Sequence, residues 1–324
     1  MDYLTSDLAE LEQWLTDPLT VEIAVNPDRR IWVLKRGDAS MQDSGKLLTE
    51  GRAKSLANLA AGKVQAKTST EKLLVSGSVE FERRPIRVQA VLPPAAHGGG
   101  ASLALRLHSS IKIDEIKLNY LHGKSRSSNQ VHNEKMQQLA SLISSGDLMN
   151  ALQFCVENRL NVLISGGTDT GKTVALRKII SLIDPSDRII SIEDAAELYP
   201  EQPNYVSLIA DRNSENRSTD KLLEASLRMR PDRLIVGEIR GKEAMTFLEA
   251  INTGHGGSMS TIHAETPELA IDRLAIAAAR SGVPMTYDNL RNYIGRTIDV
   301  VIQAGRSGAD RGIEEIYLPE RIAA

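Results

Sequence analysis

The most constraining feature of this sequence is a phosphate-binding loop between a predicted strand and a predicted helix. Residues 166–173 match the pattern G-x-x-x-x-G-K-[ST], after a predicted strand at 161–165 and before a predicted helix at 172–182. Glycines let backbone N–H groups converge on phosphate oxygens, the lysine neutralises the β- and γ-phosphates, and the next hydroxyl coordinates Mg²⁺. The pattern therefore predicts binding of ATP and Mg²⁺. The expected nucleotide-binding residues are Gly166, Gly167, Thr168, Asp169, Thr170, Gly171, Lys172 and Thr173, with Thr173 as the metal ligand.

One residue of this loop is unusual. Asp169 brings a carboxylate into a loop that must hold a polyanion, and its charge opposes phosphate binding unless the side chain points outward. Aspartate also tolerates a left-handed backbone better than most non-glycine residues, so a backbone reason and a functional reason both stay open. We expect Asp169→Gly to tighten ATP binding.

The chain divides into two regions with different patterns. Residues 1–110 alternate β-rich runs with turn signals and include helical spacing at 47–60, which is typical of an α+β domain. Residues 134–324 alternate predicted helices, the first at 135–145, with apolar strands, which is typical of an α/β domain with a mainly parallel sheet. The polar segment at 111–133 is the predicted linker.

The composition excludes several classes of function. The 324 residues carry a net charge of -3, which argues against stable binding of nucleic acid, and only 4% are aromatic, which argues against stacking of single-stranded bases. The single cysteine, Cys155, rules out an internal disulfide and suits a reducing cytosol. The first residues lack the pattern of a secretory signal, and no apolar run predicts a spanning helix. Any membrane contact is therefore expected to be peripheral.

Carboxylates follow two buried-type strands downstream of the loop. Glu193 ends one strand and Glu238 follows another, at the carboxyl ends where α/β sheets bind ligands. The second strand resembles a Walker B strand, except that Gly237 occupies the usual place of a magnesium-binding aspartate. Glu238 is therefore expected to act alone or with Glu193, either as base and orienter of the attacking water or as a partner of Mg²⁺ through water. The neighbouring acids are Asp194 and Glu197.

Two histidines, His255 and His263, lie eight residues apart across a glycine-rich turn and a predicted strand. Zinc would need further ligands nearby, and because Cys155 is the only thiol, a zinc site is not expected. Taken alone, a histidine in such a place is most often a core or turn residue whose hydrogen bonds are made within the fold.

The order of these motifs resembles the type II/type IV secretion ATPase superfamily over about residues 161–301. The loop, residues 190–198, 237–241 and the two-histidine segment correspond to that family's Walker A, Asp, Walker B and His boxes. The four-cysteine motif of longer members is missing, which favours the type IV secretion or conjugation branch.

The resemblance implies a RecA-like phosphate-loop ATPase domain preceded by a smaller α+β domain, with ATP bound where the two domains meet. It implies a homohexamer at the cytoplasmic face of the bacterial inner membrane, working with inner-membrane components of a secretion or conjugation apparatus. By the same resemblance His263 senses the γ-phosphate, with His255 a weaker candidate. Arg87, Arg106 and Arg230 are the candidates for charge stabilisation across the domain interface. The implied catalytic residues are Glu238, Glu193, His263, Arg230 and Arg106.

Three functions are compatible with these patterns. The preferred one is an ATP-hydrolysing motor for type IV secretion, conjugative transfer or pilus biogenesis. The alternatives are a type IV pilus-retraction or assembly ATPase and an ATP-gated scaffold with negligible turnover. A GTPase is disfavoured because the sequence has no Asn-Lys-x-Asp motif, and a protein kinase because it has no His-Arg-Asp loop.

Overall fold

The computed structural model describes residues 8–63, 73–108, 114, 117–121, 123 and 126–319. The amino-terminal domain contains a six-stranded antiparallel sheet in the order β3-β2-β1-β6-β5-β4. Its strands are β1 (Thr20–Val25), β2 (Arg30–Lys35), β3 (Gln42–Leu47), β4 (Leu74–Phe81), β5 (Arg84–Val91) and β6 (Ser102–Leu107). A 3₁₀ turn at Ala9–Leu11 leads into helix α1 (Glu12–Leu15), and helix α2 (Arg52–Lys63) lies between β3 and β4.

One face of this sheet is apolar because side chains alternate with a period of two along each strand. Val75, Val79 and Phe81 of β4 are buried, whereas the residues between them are exposed or only partly buried. Ala57 and Ala60 of α2 belong to the same buried cluster. A slip of one residue would turn this apolar set to solvent, so the alternation specifies the strand register.

The carboxyl-terminal domain contains a seven-stranded sheet in the order β13-β12-β7-β11-β10-β8-β9. Neighbouring strands from β12 to β9 are parallel, and β13 is antiparallel to β12. The strands are β7 (Val162–Gly166), β8 (Ile189–Glu193), β9 (Tyr205–Ile209), β10 (Arg233–Val236), β11 (Met259–His263), β12 (Val300–Ser307) and β13 (Asp310–Tyr317).

The helices of this domain connect and cover the parallel strands. They are α3 (Ser128–Ser144), α4 (Leu148–Glu157), α5 (Lys172–Ile180), α6 (Thr219–Ser226), α7 (Glu243–Asn252), α8 (Pro267–Ala279) and α9 (Tyr287–Thr297). Within the described part of the chain, no helix combines the length and apolarity needed to cross a bilayer.

The central strands are buried throughout, as expected for parallel strands between two layers of helices. Every residue of β7, β8 and β10 is buried. Because these strands are parallel, their carboxyl ends lie along one edge of the sheet. That edge receives the phosphate loop after β7, Glu193 at the end of β8, Glu238 after β10 and His263 at the end of β11.

The two domains share a short stretch of backbone pairing. Ala96 forms an antiparallel bridge with Leu208 of the edge strand β9. The His97 amide donates to the Ser207 carbonyl at 2.9 Å, and the Ile209 amide donates to the Ala95 carbonyl at 2.8 Å. The amino-terminal domain thereby covers the open edge of the carboxyl-terminal sheet.

A buried arginine reinforces this interface. Arg188, just before β8, is completely buried, and its Nε donates to the Met229 carbonyl at 3.1 Å. Its Nη1 donates to the Asn26 side chain of the amino-terminal domain at 2.7 Å and also to Asn204. Burial lowers the pKa of Arg188 to about 10, so the guanidinium stays charged at neutral pH. Since an unpaired buried charge is costly, separating the domains would be strongly unfavourable.

The predicted architecture is confirmed, and several boundaries are corrected. The first helix of the carboxyl-terminal domain begins at Ser128 rather than 135, because Ser127 and Gln130 form a capping box that the sequence analysis missed. Strands β9, β12 and β13 were not predicted. Much of the predicted linker at 111–133 lies outside the described residues, while its last six residues are helical. The domain boundaries at residues 110 and 134 stay predictions.

Candidate active site

The phosphate loop connects β7 to α5, and two of its glycines are required by its backbone. Gly166 has φ of 157°, and a Cβ there would overlap the Thr170 hydroxyl and the Ala304 carbonyl. Gly171 has φ of 88°, in the left-handed region that favours glycine, and is the N-cap of α5. The loop thus directs the first amides of α5 into the space where a phosphate would lie.

Lys172, the first residue of α5, points back over the loop. Its Nζ donates to the carbonyls of Gly166 at 3.0 Å and Gly167 at 2.6 Å, and lies 3.2 Å from Nδ1 of His263. Burial lowers the pKa of Lys172, although the charges of Glu238 and Glu265 act in the opposite direction. The ammonium group therefore lies within the loop, where a bound phosphate would replace its carbonyl partners.

His263 connects Lys172 to Glu238. Nε2 of His263 lies 3.3 Å from Oε1 of Glu238, and Arg240 holds the other carboxylate oxygen. Since an ammonium group can only donate, Nδ1 of His263 accepts from Lys172 and Nε2 carries the proton toward Glu238. Burial is the main reason that the pKa of His263 is lowered; the charge of Glu238 acts in the opposite direction, and the positive charges of Lys172 and Arg240 act in the same direction as burial. The imidazole is therefore neutral at pH 7.

Glu238 is a charged carboxylate held between the Arg240 guanidinium and the His263 imidazole. Burial tends to raise its pKa, but the hydrogen bond and charge of Arg240, together with His263 and Lys172, outweigh burial, so the pKa is lowered. A carboxylate with a lowered pKa is a weak proton acceptor and is better suited to orient a water molecule by hydrogen bonding.

Glu193 has a different environment, because its carboxylate is already saturated with protein donors. Oε1 accepts from the hydroxyls of Ser191 at 2.6 Å, Tyr205 at 3.1 Å and Ser207 at 3.2 Å. Oε2 accepts from the backbone amides of residues 197 and 198 at 2.9 and 3.0 Å. The side chain is only 4% exposed. Glu193 therefore fixes the segment after β8 and has little capacity left for substrate.

These groups surround one cleft of about 370 Å³, which we call the phosphate cleft. Every described residue that lines it belongs to the carboxyl-terminal domain. It is bounded by the loop and α5 on one side and by the ends of β8, β10 and β11 on the other. Its lining includes Lys172, Thr173, Glu193, Asp194, Glu197, Glu238, Arg240 and His263.

The donors in this cleft fit a magnesium ion held mainly by substrate. Thr173 offers a hydroxyl and the cleft wall offers carboxylates, which are the oxygen donors that Mg²⁺ prefers. Among the described residues, no cluster of three His, Cys, Asp or Glu side chains could hold a metal by itself. This set suits an ion bound by Thr173 and the phosphates. Because Glu238 is engaged by Arg240 and His263, its contact with the ion would pass through water.

Asp169 adopts a left-handed backbone with φ of 61° and lies at the rim of the phosphate cleft, where its carboxylate is bound by two arginines. Its Oδ2 lies 2.6 Å from Nη2 of Arg311 and 3.3 Å from Nη1 of Arg306, both on the β12–β13 hairpin. The hydrogen bond from Arg311 is the main reason that the pKa of Asp169 is lowered. This conformation agrees with the backbone explanation for the residue, and two arginines balance its charge.

Three predicted arginines are not brought to the phosphate cleft within one chain. Arg87, Arg106 and Arg230 line a separate cavity of about 790 Å³ between the domains. We call it the arginine pocket and define it by Arg87, Arg106, Arg228 and Arg230. Arg230 lies before β10 and Glu238 lies after it, so the length of that strand, about 13 Å at 3.3 Å per residue, lies between them.

Contacts within the arginine pocket hold Arg230 in place. Its Nε lies 3.6 Å from Glu22 of the amino-terminal domain, and its Nη1 lies 3.6 Å from Asp232. His255 also lines this pocket, and its Nδ1 lies 3.1 Å from the Ala250 carbonyl. His255 is thus a turn residue at the opposite end of β11 from His263. Within one chain the described lining of the phosphate cleft comes from the carboxyl-terminal domain, so the expectation that ATP binds where the two domains meet stays a prediction.

Several residues of the site were not predicted from the sequence. Arg240 holds Glu238 and lies 3.8 Å from Asp194, and it follows Glu238 closely enough in sequence to have been suspected. Glu265 lies beneath the loop, where its Oε1 would be 3.2 Å from a Cβ on Gly167. Arg306 and Arg311 lie more than 130 residues from the loop in sequence, so no local pattern could have indicated them.

Comparisons with known proteins agree with this geometry. The family model described as "Type II/IV secretion system protein" matches residues 99–304. The conjugal transfer protein TrbB of Rhizobium radiobacter is 30% identical to this chain, over 93% of this chain and 84% of that protein. The type IV secretion system protein VirB11 of Bartonella quintana (strain Toulouse) is 30% identical, over 96% and 91%.

A solved structure supports the same relationship. The VirB11 ATPase from the Brucella suis type IV secretion system, crystallised in complex with sulphate, superposes with a TM-score of 0.86. The two sequences are 27% identical, and the match covers 97% of this chain and 94% of the Brucella suis chain. The predicted fold class, a RecA-like phosphate-loop domain preceded by a smaller α+β domain, is confirmed by this match. The chain belongs to the type II/IV secretion system protein family.

Proposed function

We propose that this protein is a Mg²⁺-dependent ATPase that energises a type IV secretion or conjugative transfer apparatus. The observation that carries the proposal is the connected set Lys172, His263 and Glu238, which places a phosphate-binding cation and a water-orienting carboxylate on either side of one imidazole. The relatives support the biological setting, since they are described as a conjugal transfer protein and type IV secretion proteins.

Binding of ATP would change the partners of Lys172 first. Its Nζ leaves the carbonyls of Gly166 and Gly167 for the β- and γ-phosphates, and this movement releases Nδ1 of His263. The freed imidazole can then change its hydrogen-bond partner when the γ-phosphate is present. His263 thereby relays the presence of substrate to Glu238, which it contacts through its other nitrogen.

Hydrolysis requires a water molecule in line with the γ-phosphate. Glu238 accepts a hydrogen bond from that water and orients its oxygen toward phosphorus. The new bond joins the water oxygen to the γ-phosphorus, and the bond to the bridging oxygen of ADP breaks. The water's proton passes to phosphate or solvent, because the lowered pKa of Glu238 makes it a poor final acceptor. Magnesium, when bound beside Thr173, neutralises charge on the phosphates.

The arginine needed at the γ-phosphate would come from a neighbouring subunit. In one chain the arginine pocket and the phosphate cleft lie at opposite ends of the same strands. A head-to-tail ring brings such opposite surfaces together, so Arg230 or Arg106 of one subunit would meet the cleft of the next. We propose that this ring is a homohexamer at the cytoplasmic face of the inner membrane, with only peripheral membrane contact.

A second candidate is an ATP-gated scaffold with negligible turnover. The contact between Arg240 and Glu238 favours it, since a carboxylate that remains bound to a guanidinium is less available to water. In that case ATP would order the ring without being consumed.

Measurement of phosphate release by the purified ring decides between these functions. We expect Mg²⁺-dependent release from the wild type, and release at least about 10²-fold slower from Lys172→Ala or Glu238→Gln. Lys178→Ala is the matched control, because Lys178 is an exposed lysine of the same helix α5. Nucleotide-dependent assembly without phosphate release would favour the scaffold, and activity that survives in Lys172→Ala would contradict the assigned roles.

A further inference from the structure

The arginines that hold Asp169 are placed directly opposite each other. Arg306 of β12 pairs in register with Arg311 of β13. Like charges that face each other across two strands are destabilising, so such a pair calls for an anion nearby. The Asp169 carboxylate supplies one negative charge for two guanidinium groups. One positive charge remains uncompensated by this trio at the edge of the phosphate loop.

This charge lies beside the amides that bind phosphate. Strand β12 runs parallel to β7 and next to it, so the hairpin extends past the start of the loop. Cβ and Cδ of Arg311 each lie 3.6 Å from the position that a Cβ on Gly171 would occupy. Nε of Arg311 also donates to the Asp169 carbonyl at 3.0 Å. Arg311 therefore lies along the loop immediately before the first turn of α5.

The phosphates of a bound nucleotide do not all need the same cation. In a loop of this type the lysine reaches the β- and γ-phosphates, while backbone amides hold the α- and β-phosphates. The α-phosphate thus has no side-chain cation from the loop itself. A guanidinium beside Gly171 is a suitable partner, because arginine forms paired hydrogen bonds with phosphate oxygens.

We propose that Arg311, assisted by Arg306, binds the α-phosphate of ATP and ADP, and that Asp169 is an internal competitor that holds Arg311 until nucleotide arrives. The proposal rests on nucleotide binding at the phosphate loop, as in the proposed function. It also gives a physical reason for the acidic residue in this loop: the carboxylate occupies the guanidinium in the free protein and must be displaced by phosphate.

The competing explanation is a brace in which Asp169 and the two arginines only stiffen the loop. The two explanations differ in the sign of one effect. If Asp169 competes with phosphate, removal of its charge strengthens nucleotide binding, whereas removal of Arg311 weakens it. If the trio is a brace, removal of either partner weakens binding.

The test is a fluorescence titration of the full-length protein with ADP and with a slowly hydrolysed ATP analogue. Arg311→Ala is expected to raise both dissociation constants about tenfold and by the same factor, because both ligands carry the α-phosphate. Arg306→Ala, with one longer contact, should raise them about threefold. Asp169→Asn should lower both dissociation constants about threefold, and asparagine tolerates the same left-handed backbone.

Controls and contrary outcomes are defined by the same titration. Arg30→Ala removes an equally exposed arginine that pairs with Asp28 in the amino-terminal domain, and it should leave both constants unchanged. Weaker binding in both Asp169→Asn and Arg311→Ala would establish the brace and overturn the proposal. The proposal would also be overturned if Arg311→Ala left both dissociation constants unchanged, or if it weakened binding of the ATP analogue alone. Failure of the proposed function is distinct, since the wild type would then release no phosphate while still binding ADP.

Discussion

The phosphate cleft and the arginine pocket use the two ends of the same strands in different ways. At the carboxyl ends, a glycine-rich loop, one lysine and several carboxylates form a site for a phosphate chain and its metal. At the amino ends, arginines gather around Glu22 and Asp232, between two domains that are bound to each other. Neither end is complete for phosphoryl transfer, because Arg240, the one described arginine that lines the phosphate cleft, is bound to Glu238, and the arginine pocket lacks the loop. The functional unit is therefore expected to be the junction of two chains.

The largest expected effect comes from mixing inactive subunits. Lys172→Ala and Arg230→Ala chains should each release phosphate at least about 10³-fold more slowly than wild type, since loss of a transition-state arginine has that magnitude. Co-assembly of the two in equal amounts should restore activity at about a quarter of the interfaces, where an intact loop meets an intact arginine. Steady-state phosphate release by the mixed rings measures this.

The matched control is a mixture of Lys172→Ala with Glu238→Gln. Both changes affect the phosphate cleft, so every junction in that mixture contains a defective cleft and no recovery is expected. If the Arg230→Ala mixture also shows no recovery although mixed rings form, Arg230 does not serve the neighbouring cleft.

The next effect separates two carboxylates within the phosphate cleft. Glu238→Gln should reduce turnover about 10²-fold or more while leaving the thermal midpoint Tm nearly unchanged, because its role is to orient water. Glu193→Gln should instead destabilise the protein by about 2 kcal/mol, since it disturbs five hydrogen bonds to a buried charge. Thermal unfolding and phosphate release are measured together. A Glu193→Gln protein of normal Tm and lost turnover would show that Glu193 acts in the reaction.

A smaller effect concerns the pH dependence of the cleft. Because the pKa of His263 is lowered from its ordinary value of 6.5, the imidazole stays neutral at pH 6.5 and above and gains a proton only in more acidic solution. Turnover should therefore be level above pH 6.5 and fall about tenfold per pH unit once His263 is protonated. In His263→Gln the remaining activity should lack this acid limb. An acid limb of the same position in both proteins would assign it to another group.

The smallest effect tests the arginine pocket in isolation. Burial raises the pKa of Glu22 from 4.5 to about 7, despite the opposing charges of Arg230 and Arg188. A raised pKa means that the contribution of this group to stability is full below pH 4.5 and is lost as the pH rises through about 7. The Tm of Glu22→Gln relative to wild type should therefore increase by about 3 °C between pH 5 and pH 8. A difference that does not vary with pH would contradict this assignment.

The sequence was most informative where chemistry depends on neighbouring residues. The phosphate loop is one contiguous motif whose glycines and lysine have fixed backbone and charge requirements, and its position between β7 and α5 was predicted. Glu238 was found because it comes at the carboxyl end of a strand, and His263 because the order of motifs resembles that of the secretion ATPases. The network that joins them to Lys172 depends on β11 lying between β7 and β10, which no local pattern indicates.

Long-range contacts explain most of what the sequence did not indicate. The partners of Asp169 come from a hairpin more than 130 residues away, and β12 and β13 were not predicted at all. The arginines illustrate a missed signal instead. Arg230 precedes a strand that Glu238 follows, so the direction of β10 alone places them on opposite sides of the sheet.

The pairing of residues 95–97 with β9 has a consequence for experiments on fragments. Strand β9 is the last strand of the carboxyl-terminal sheet, and the amino-terminal domain supplies its only described neighbour on the outer side. A fragment that begins after residue 110 would present bare amide and carbonyl groups along this strand, a template for self-association. Arg188 would also lose its hydrogen bond to Asn26. The isolated ATPase domain is therefore expected to aggregate, so dissection of this protein should proceed by point substitution rather than by truncation.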